Sequence, residues 1–138
     1  MGQQQLLLVI LVTIIVGIAT VVAINTFGSA ADSANLDAVR QDLVSMAASA
    51  QSYYIKPTAL GGAGQTFTDI TFNDLGGVAC DVGSTPQTCE NENGNYSIST
   101  GGSATGVSFK GEPKQAGGSV IIDVTKDGAS MNDYIAGT

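Results

Sequence analysis

Histidine and tryptophan are absent from this chain, and only five residues are basic. The missing histidine removes the commonest general base and the commonest neutral metal ligand. The five cations stand against 12 acidic residues, a net charge of −7. That balance argues against nucleic-acid binding as the main role, because contacts to phosphate need cations. Cysteine is scarce as well. Cys80 and Cys89 close a short loop in a segment rich in Gly, Ser, Thr, Pro and Asn. The pair is read as a disulfide, which places this part of the chain outside the cytoplasm. Two reduced surface thiols are the alternative; a zinc site lacks the further Cys or His it needs. Charge of either sign is missing before Asp32.

That uncharged stretch is the most informative part of the chain. Residues 6–24 read Leu-Leu-Leu-Val-Ile-Leu-Val-Thr-Ile-Ile-Val-Gly-Ile-Ala-Thr-Val-Val-Ala-Ile. As a helix they span roughly 28 Å, close to the hydrocarbon thickness of a bilayer. A cleaved secretory signal fits poorly. Gln3, Gln4 and Gln5 stand where a basic region belongs, and the apolar run exceeds the usual core of a signal, although Ser29-Ala30-Ala31 resembles a cleavage site. Residues 1–28 are therefore expected to form an apolar transmembrane or filament-core helix.

The helical pattern does not stop there. Leu36, Val39, Leu43, Met46, Ala47, Ala50, Tyr53 and Tyr54 recur at steps of three and four, so residues 29–56 predict an amphipathic continuation. Asp32, Asp37, Arg40, Asp42 and Gln51 are assigned to the opposite face. Pro57 ends the helix, since the residue before a proline is pushed out of the helical region. Gly17 and Asn25-Thr26-Phe27-Gly28 are candidate bends.

Residues 57–138 form the expected head. Its first part, 58–94, is loop-rich, with breakers at Gly61-Gly62-Ala63-Gly64, Gly76-Gly77 and Ser84-Thr85-Pro86, and a turn at Asn73-Asp74-Leu75. The Gly61–Gly64 run lacks the Lys and spacing of a phosphate loop and is read as a flexible connector. Period-two alternation marks strands around Tyr96 and Ile98, around Val107 and Phe109, and around Val120, Ile122 and Val124. Short glycine-rich links favour an antiparallel meander. Leu60, Phe67, Ile70, Phe72, Leu75, Ile121, Met131, Tyr134 and Ile135 complete the candidate core. So small a head is marginal by itself and needs an apolar helix face to pack on. The fold class is α+β: a long N-terminal helix, apolar then amphipathic, packed against a small antiparallel sheet.

Signals for catalysis are weak. Glu90 and Glu92 lie in Cys89-Glu-Asn-Glu-Asn-Gly-Asn95, read as a polar turn before a strand; its glycine is out of register with a calcium-binding EF-hand loop. Asn95-Tyr96-Ser97 matches a glycosylation sequon, yet Tyr96 is better explained as a strand residue. Tyr53 and Tyr54 are assigned to helix–sheet packing. No enzymatic activity, cofactor or metal is expected.

Met1-Gly2-Gln3-Gln4-Gln5, the apolar run, the amphipathic helix to Pro57, a variable loop, a three- or four-stranded antiparallel sheet and a disulfide-bearing region together resemble a bacterial type IV pilin or a related pseudopilin. The layout covers the whole chain, and its specific part is the N-terminal third. The resemblance implies a chain held first in the inner membrane, handled by pilus assembly machinery and polymerised into an extracellular helical filament of identical copies. It implies Met1 as the processed and N-methylated residue, with cleavage after Gly2 as the alternative. It implies that Gln5, Leu6, Leu7, Leu8, Val9, Ile10, Leu11, Val12, Ile14, Ile15, Val16, Ile18, Val21 and Val22 mediate subunit assembly. Two departures stand out. A glutamate that the family carries near its mature N-terminus falls on Gln5, and a proline it often carries falls on Val22. Two other readings remain: a pseudopilin of a secretion machine, building a short periplasmic fibre, and a single-pass anchor carrying an unrelated domain. Adhesion, motility, DNA uptake and secretion are not separable at this level.

Overall fold

The computed structural model describes residues 2–76 and 79–134, the side chains of Thr100 and Tyr134 excepted. One helix, α1, runs from Gly2 to Ile55. Its hydrogen-bonded ladder has no break at Gly17 or at Asn25–Gly28, so neither candidate bend interrupts the helix. A short 3-10 turn follows at Thr58–Leu60. Then come six strands: β1 (Asp81–Val82), β2 (Thr88–Glu90), β3 (Gly94–Thr100), β4 (Gly106–Pro113), β5 (Ser119–Thr125) and β6 (Gly128–Tyr134). They pair in sequence order as one antiparallel meander.

The sheet is thus wider than the three or four strands expected. Central strands β3, β4 and β5 coincide with the three period-two runs. The additional strands have little strand-forming sequence of their own. In β6, Gly-Ala-Ser-Met-Asn-Asp-Tyr is held by its pairing with β5, from Ser119↔Tyr134 to Thr125↔Gly128. A two-residue link, Lys126-Asp127, makes that hairpin compact. Strands β1 and β2 form a small hairpin inside the segment read as loop, with Asp81 opposite Glu90 and Val82 opposite Cys89.

The chain divides into two compact units, residues 1–34 and residues 35–138. The second has its own core. Val39, Leu43, Met46, Ala47 and Ala50 from α1 are buried together with Phe67, Ile70, Phe72 and Leu75 and with Tyr96, Val107, Phe109, Val120, Ile122 and Val124 from the sheet. This is the α+β arrangement of a helix packed on an antiparallel sheet. Leu36, Tyr53 and Tyr54 pack at its margin, and the Tyr54 ring stacks on Phe67 with centroids 4.7 Å apart. Leu60, a candidate core residue, is instead 67% exposed. It sits in the short 3-10 turn after α1. Ile135 and the Tyr134 side chain lie outside the described residues.

Gly111 sets how closely helix and sheet approach. It occupies the inward face of β4, between Tyr96 and Val120 in register. A Cβ there would stand 2.7 Å from Val39 Cγ1 and 3.2 Å from Leu43 Cδ1. A larger residue there would force the Val39 and Leu43 side chains to shift.

The Gly61–Gly64 run differs from the flexible connector expected. It folds back over the end of α1. Ala63 N donates to Tyr53 O at 3.0 Å, Gly64 N to Lys56 O at 3.1 Å and Gln65 N to Tyr54 O at 3.0 Å. These bonds satisfy carbonyls that a helix end leaves without partners. Gly61 and Gly64 take positive φ values, 75° and 61°, which explains the glycines. The turn at Asn73–Leu75 is present and held by Asp74, whose carboxylate accepts from Thr71 N at 3.0 Å and Thr71 Oγ1 at 2.6 Å.

Candidate functional site

Residues 2–34 carry no buried side chain. Fifteen large apolar side chains between Leu6 and Phe27 are 46–76% exposed, among them every apolar position assigned to subunit assembly from Leu6 to Val22. Gln5 is exposed as well. Met1, assigned to processing, lies outside the described residues. By length and composition α1 is able to cross a membrane. Three hydroxyls interrupt the apolar surface, and each is satisfied within the helix. Thr13 Oγ1 donates to Ile10 O, Thr20 Oγ1 to Val16 O and Thr26 Oγ1 to Val22 O, all at 2.8 Å. A threonine that bonds its own backbone presents its methyl group outward. The segment therefore has an apolar surface despite three alcohols.

In the second unit the polar chemistry gathers where α1 meets the bend between β2 and β3. Asp42 was assigned to the helix face opposite the core, with Arg40. The structure corrects both. Positions 40 and 42 flank the buried stripe of Val39, Leu43 and Met46, one on each side, and both reach the sheet. Asp42 Oδ2 accepts from Asn91 Nδ2 at 2.8 Å, Asn93 Nδ2 at 2.9 Å and Tyr96 Oη at 2.6 Å. On the other flank Arg40 donates to Asp133 Oδ2 of β6 at 2.7 Å and to Asp37 Oδ1 at 2.8 Å. The signal for Asp42 was in the spacing: it lies three residues after Val39 and four before Met46, on the edge of the same stripe.

Opposing effects act on the Asp42 carboxyl. Partial burial pushes its pKa up, but the bonds from Asn93, Tyr96 and Asn91 outweigh that and hold it below the ordinary value. Tyr96 moves the other way. Its burial, then its hydrogen bond to Asp42 and the charge of that carboxylate, push the phenol well above the usual range. Arg40 is raised by its bonds to Asp133 and Asp37. The bend itself is tied by Asn91 Oδ1, which accepts from Asn93 N at 2.9 Å and Gly94 N at 3.0 Å. Asn35 Nδ2 donates to Asn93 O at 2.9 Å from the preceding turns of α1.

Cys80 and Cys89 form a disulfide, with Cα atoms 5.7 Å apart. Cys89 is buried in the core, so the bridge pins the β1–β2 hairpin to it. Between that hairpin and the outward side of β3–β4 lies an open cleft of about 1000 Å³, lined by Ala79, Asp81, Val82, Glu90, Glu92, Asn95, Ser97, Glu112 and Lys114, among others. Lys114 Nζ pairs with Glu90 Oε1 at 2.7 Å across it. Asp81 and Glu92 have no ion-pair partner among the described residues. The described residues hold no group of three or more His, Cys, Asp or Glu side chains placed to bind a metal ion. Asn95 of the sequon is exposed, and Tyr96 is a buried strand residue as expected. Comparisons with protein-family models, with curated proteins and with solved structures find no match to this chain.

Proposed function

We propose that this chain is a structural, non-catalytic subunit of an extracellular filament of the type IV pilus kind, assembled from an inner-membrane pool. The observation that carries the reading is the contrast between an uncharged helix with fifteen exposed large apolar side chains and a second unit that buries most of its own in a core. Fully burying such a side chain gains about 1.5–3 kcal/mol. Half that gain over the fifteen is about 11–22 kcal/mol, on the order of the whole stability of a domain. Water is therefore an untenable surrounding for this segment. Lipid and a bundle of identical helices are both apolar, so transfer from one to the other costs little. A subunit built this way waits in a membrane and moves into a helical core without meeting water. A repeated contact that does not close on itself then gives a filament.

The resemblance of Met1–Gln5 and the apolar run to pilins supports the same reading and makes Met1 the expected methylated residue. Gln5 brings no charge, so a terminal ammonium in the filament core takes its hydrogen bonds from amide or backbone oxygens. A secretion pseudopilin uses the same physics in a shorter fibre. The single-pass anchor predicts a non-helical linker between anchor and domain, and α1 is helical throughout residues 2–55.

The test is electron microscopy of fibres sheared from cells, with mass spectrometry of the terminal residue. Long fibres composed of this chain, with residues 6–24 at the common axis, support the proposal. A detergent-free, monodisperse monomer of the intact chain would sink it. Val12→Glu, which puts a charge in the apolar core, is expected to abolish fibres while leaving the second unit folded.

A further inference from the structure

The end of α1 carries an exposed apolar knob. Ile55 is 75% exposed and Leu60 67%, both outside the core that the neighbouring Tyr53 and Tyr54 help to close. Between them stands Lys56. Arg40, Lys110, Lys114 and Lys126 each pair with a carboxylate, whereas Lys56 has no ion-pair partner among the described residues. An unpaired cation beside two exposed aliphatics is complementary to a surface that is acidic and partly apolar.

This chain carries such a surface itself. The cleft beside the β1–β2 hairpin offers Asp81 and Glu92 without ion-pair partners, with Val82 and Ala79 as apolar wall. Its volume of about 1000 Å³ suits a protruding group of several side chains. The cleft and the knob lie far apart along the helix axis. Asp42 binds Asn91 and Asn93 at the cleft's inner margin, and Lys56 comes fourteen residues later, about 21 Å along α1. A knob cannot reach the cleft of its own unit, so a knob that fills this cleft comes from another copy.

We propose that the Ile55–Lys56–Leu60 knob of one copy docks in the acidic cleft of the next copy, with Lys56 between Asp81 and Glu92. The occupant is a second copy of this chain because the charges complement one another and because each copy supplies one of each surface. The contact is head-to-tail, so it propagates rather than closes. It rests on the reading of the chain as a self-assembling subunit and adds a contact between the second units, separate from the apolar helices. Being a rim charge pair, it weakens with added salt.

The experiment uses the full chain in detergent, as a mixture of unlabelled and nitrogen-15-labelled protein, treated with a zero-length carbodiimide crosslinker. Mass spectrometry then reads which carboxylate Lys56 has joined and whether the product mixes isotopes. Mixed-isotope links from Lys56 to Asp81 or Glu92 support the contact. Lys56→Glu is expected to abolish the link, because it removes the reacting amine and sets like charges against each other, and adding Glu92→Lys, which returns an amine to the pair from the other side, to restore it. Lys56 is exposed, so an unchanged thermal midpoint certifies the fold of the variant. Links confined to one isotope, links to other carboxylates, or a charge swap that fails to restore the dimer overturn the proposal. Microscopy separates this from the filament reading. Fibres without the Lys56 link remove only this contact; a discrete oligomer with the link keeps the contact and removes the filament.

Discussion

Residues 2–34 and residues 35–138 are made of similar apolar side chains put to opposite uses. In the first unit every described large apolar side chain is exposed; in the second, α1 and the sheet enclose a core, and Val44, Ile55, Leu60 and Val82 are left outside it. The difference lies in patterning rather than in amount. From Leu6 to Ile24 the apolar residues go all the way round the helix, so no single facing surface covers them. From Leu36 to Tyr54 they form one stripe, and one sheet face suffices. A stripe is satisfied within the chain; the all-round surface of residues 6–24 is left exposed.

The largest expected effect breaks the comparison in two. Residues 35–138 expressed alone are expected to be a detergent-free monomer with a cooperative thermal transition, whereas the intact chain needs detergent or polymerises. Analytical ultracentrifugation of both decides it, and an aggregated, unfolded 35–138 fragment would show that the second unit depends on the first.

Next comes the core of the second unit. Phe109 is fully buried, near Phe72 with ring centroids 6.1 Å apart. Phe109→Ala is expected to cost about 3–5 kcal/mol in denaturant unfolding, without altering self-association through residues 6–24. A smaller loss is expected on reducing Cys80–Cys89. Opening a loop of this length removes about 2–3 kcal/mol on the chain-entropy account, a fall in thermal midpoint of roughly 10–20 °C for a domain of this size.

The smallest effect concerns Asp42. Asp42→Ala leaves Asn91, Asn93 and Tyr96 without their common acceptor and is expected to cost about 1–3 kcal/mol. The pH dependence carries a definite sign. The folded-state pKa of Asp42 lies below the unfolded value of about 3.9, so its contribution is full above that value and is lost as pH falls through the folded pKa. Tyr96 has a raised folded pKa, so its contribution is full below about 10 and is lost as pH rises beyond that. Stability measured against pH should show a shallower acid limb in the Asp42→Ala protein. An identical acid limb would mean that other carboxylates govern acid unfolding.

Much of this architecture was legible because periodicity reports directly on which faces are buried. The stripe from Val39 to Ala50, the alternation in β3, β4 and β5, and the Cys80–Cys89 bridge were all read from spacing. Strands β1, β2 and β6 were not: β1 and β2 are two and three residues long, too short to show a period, and β6 carries one aromatic residue at its end and no β-branched one; they form through hydrogen bonds to a neighbouring strand. The glycines at 61–64 signalled a breaker correctly but not that their N–H groups close the helix end. Asp42 was misplaced because charge was taken as a sign of solvent, although its spacing put it at the edge of the stripe. A carboxylate there is stable only because three donors from another element meet it.

Composition and spacing alone determined that the front of the chain is uncharged and apolar all the way round, that a helix continues to just before Pro57 and that an antiparallel sheet follows. These depend on local periodicity and on the transfer of side chains between water and apolar surroundings, quantities that neighbours in sequence already set. Tertiary structure decided the rest: the approach of α1 to β4 over Gly111, the convergence of Asn91, Asn93 and Tyr96 on Asp42, and the cleft beneath the disulfide hairpin. Each requires groups dozens of residues apart to meet within a few ångströms, and only the folded chain specifies which of them do.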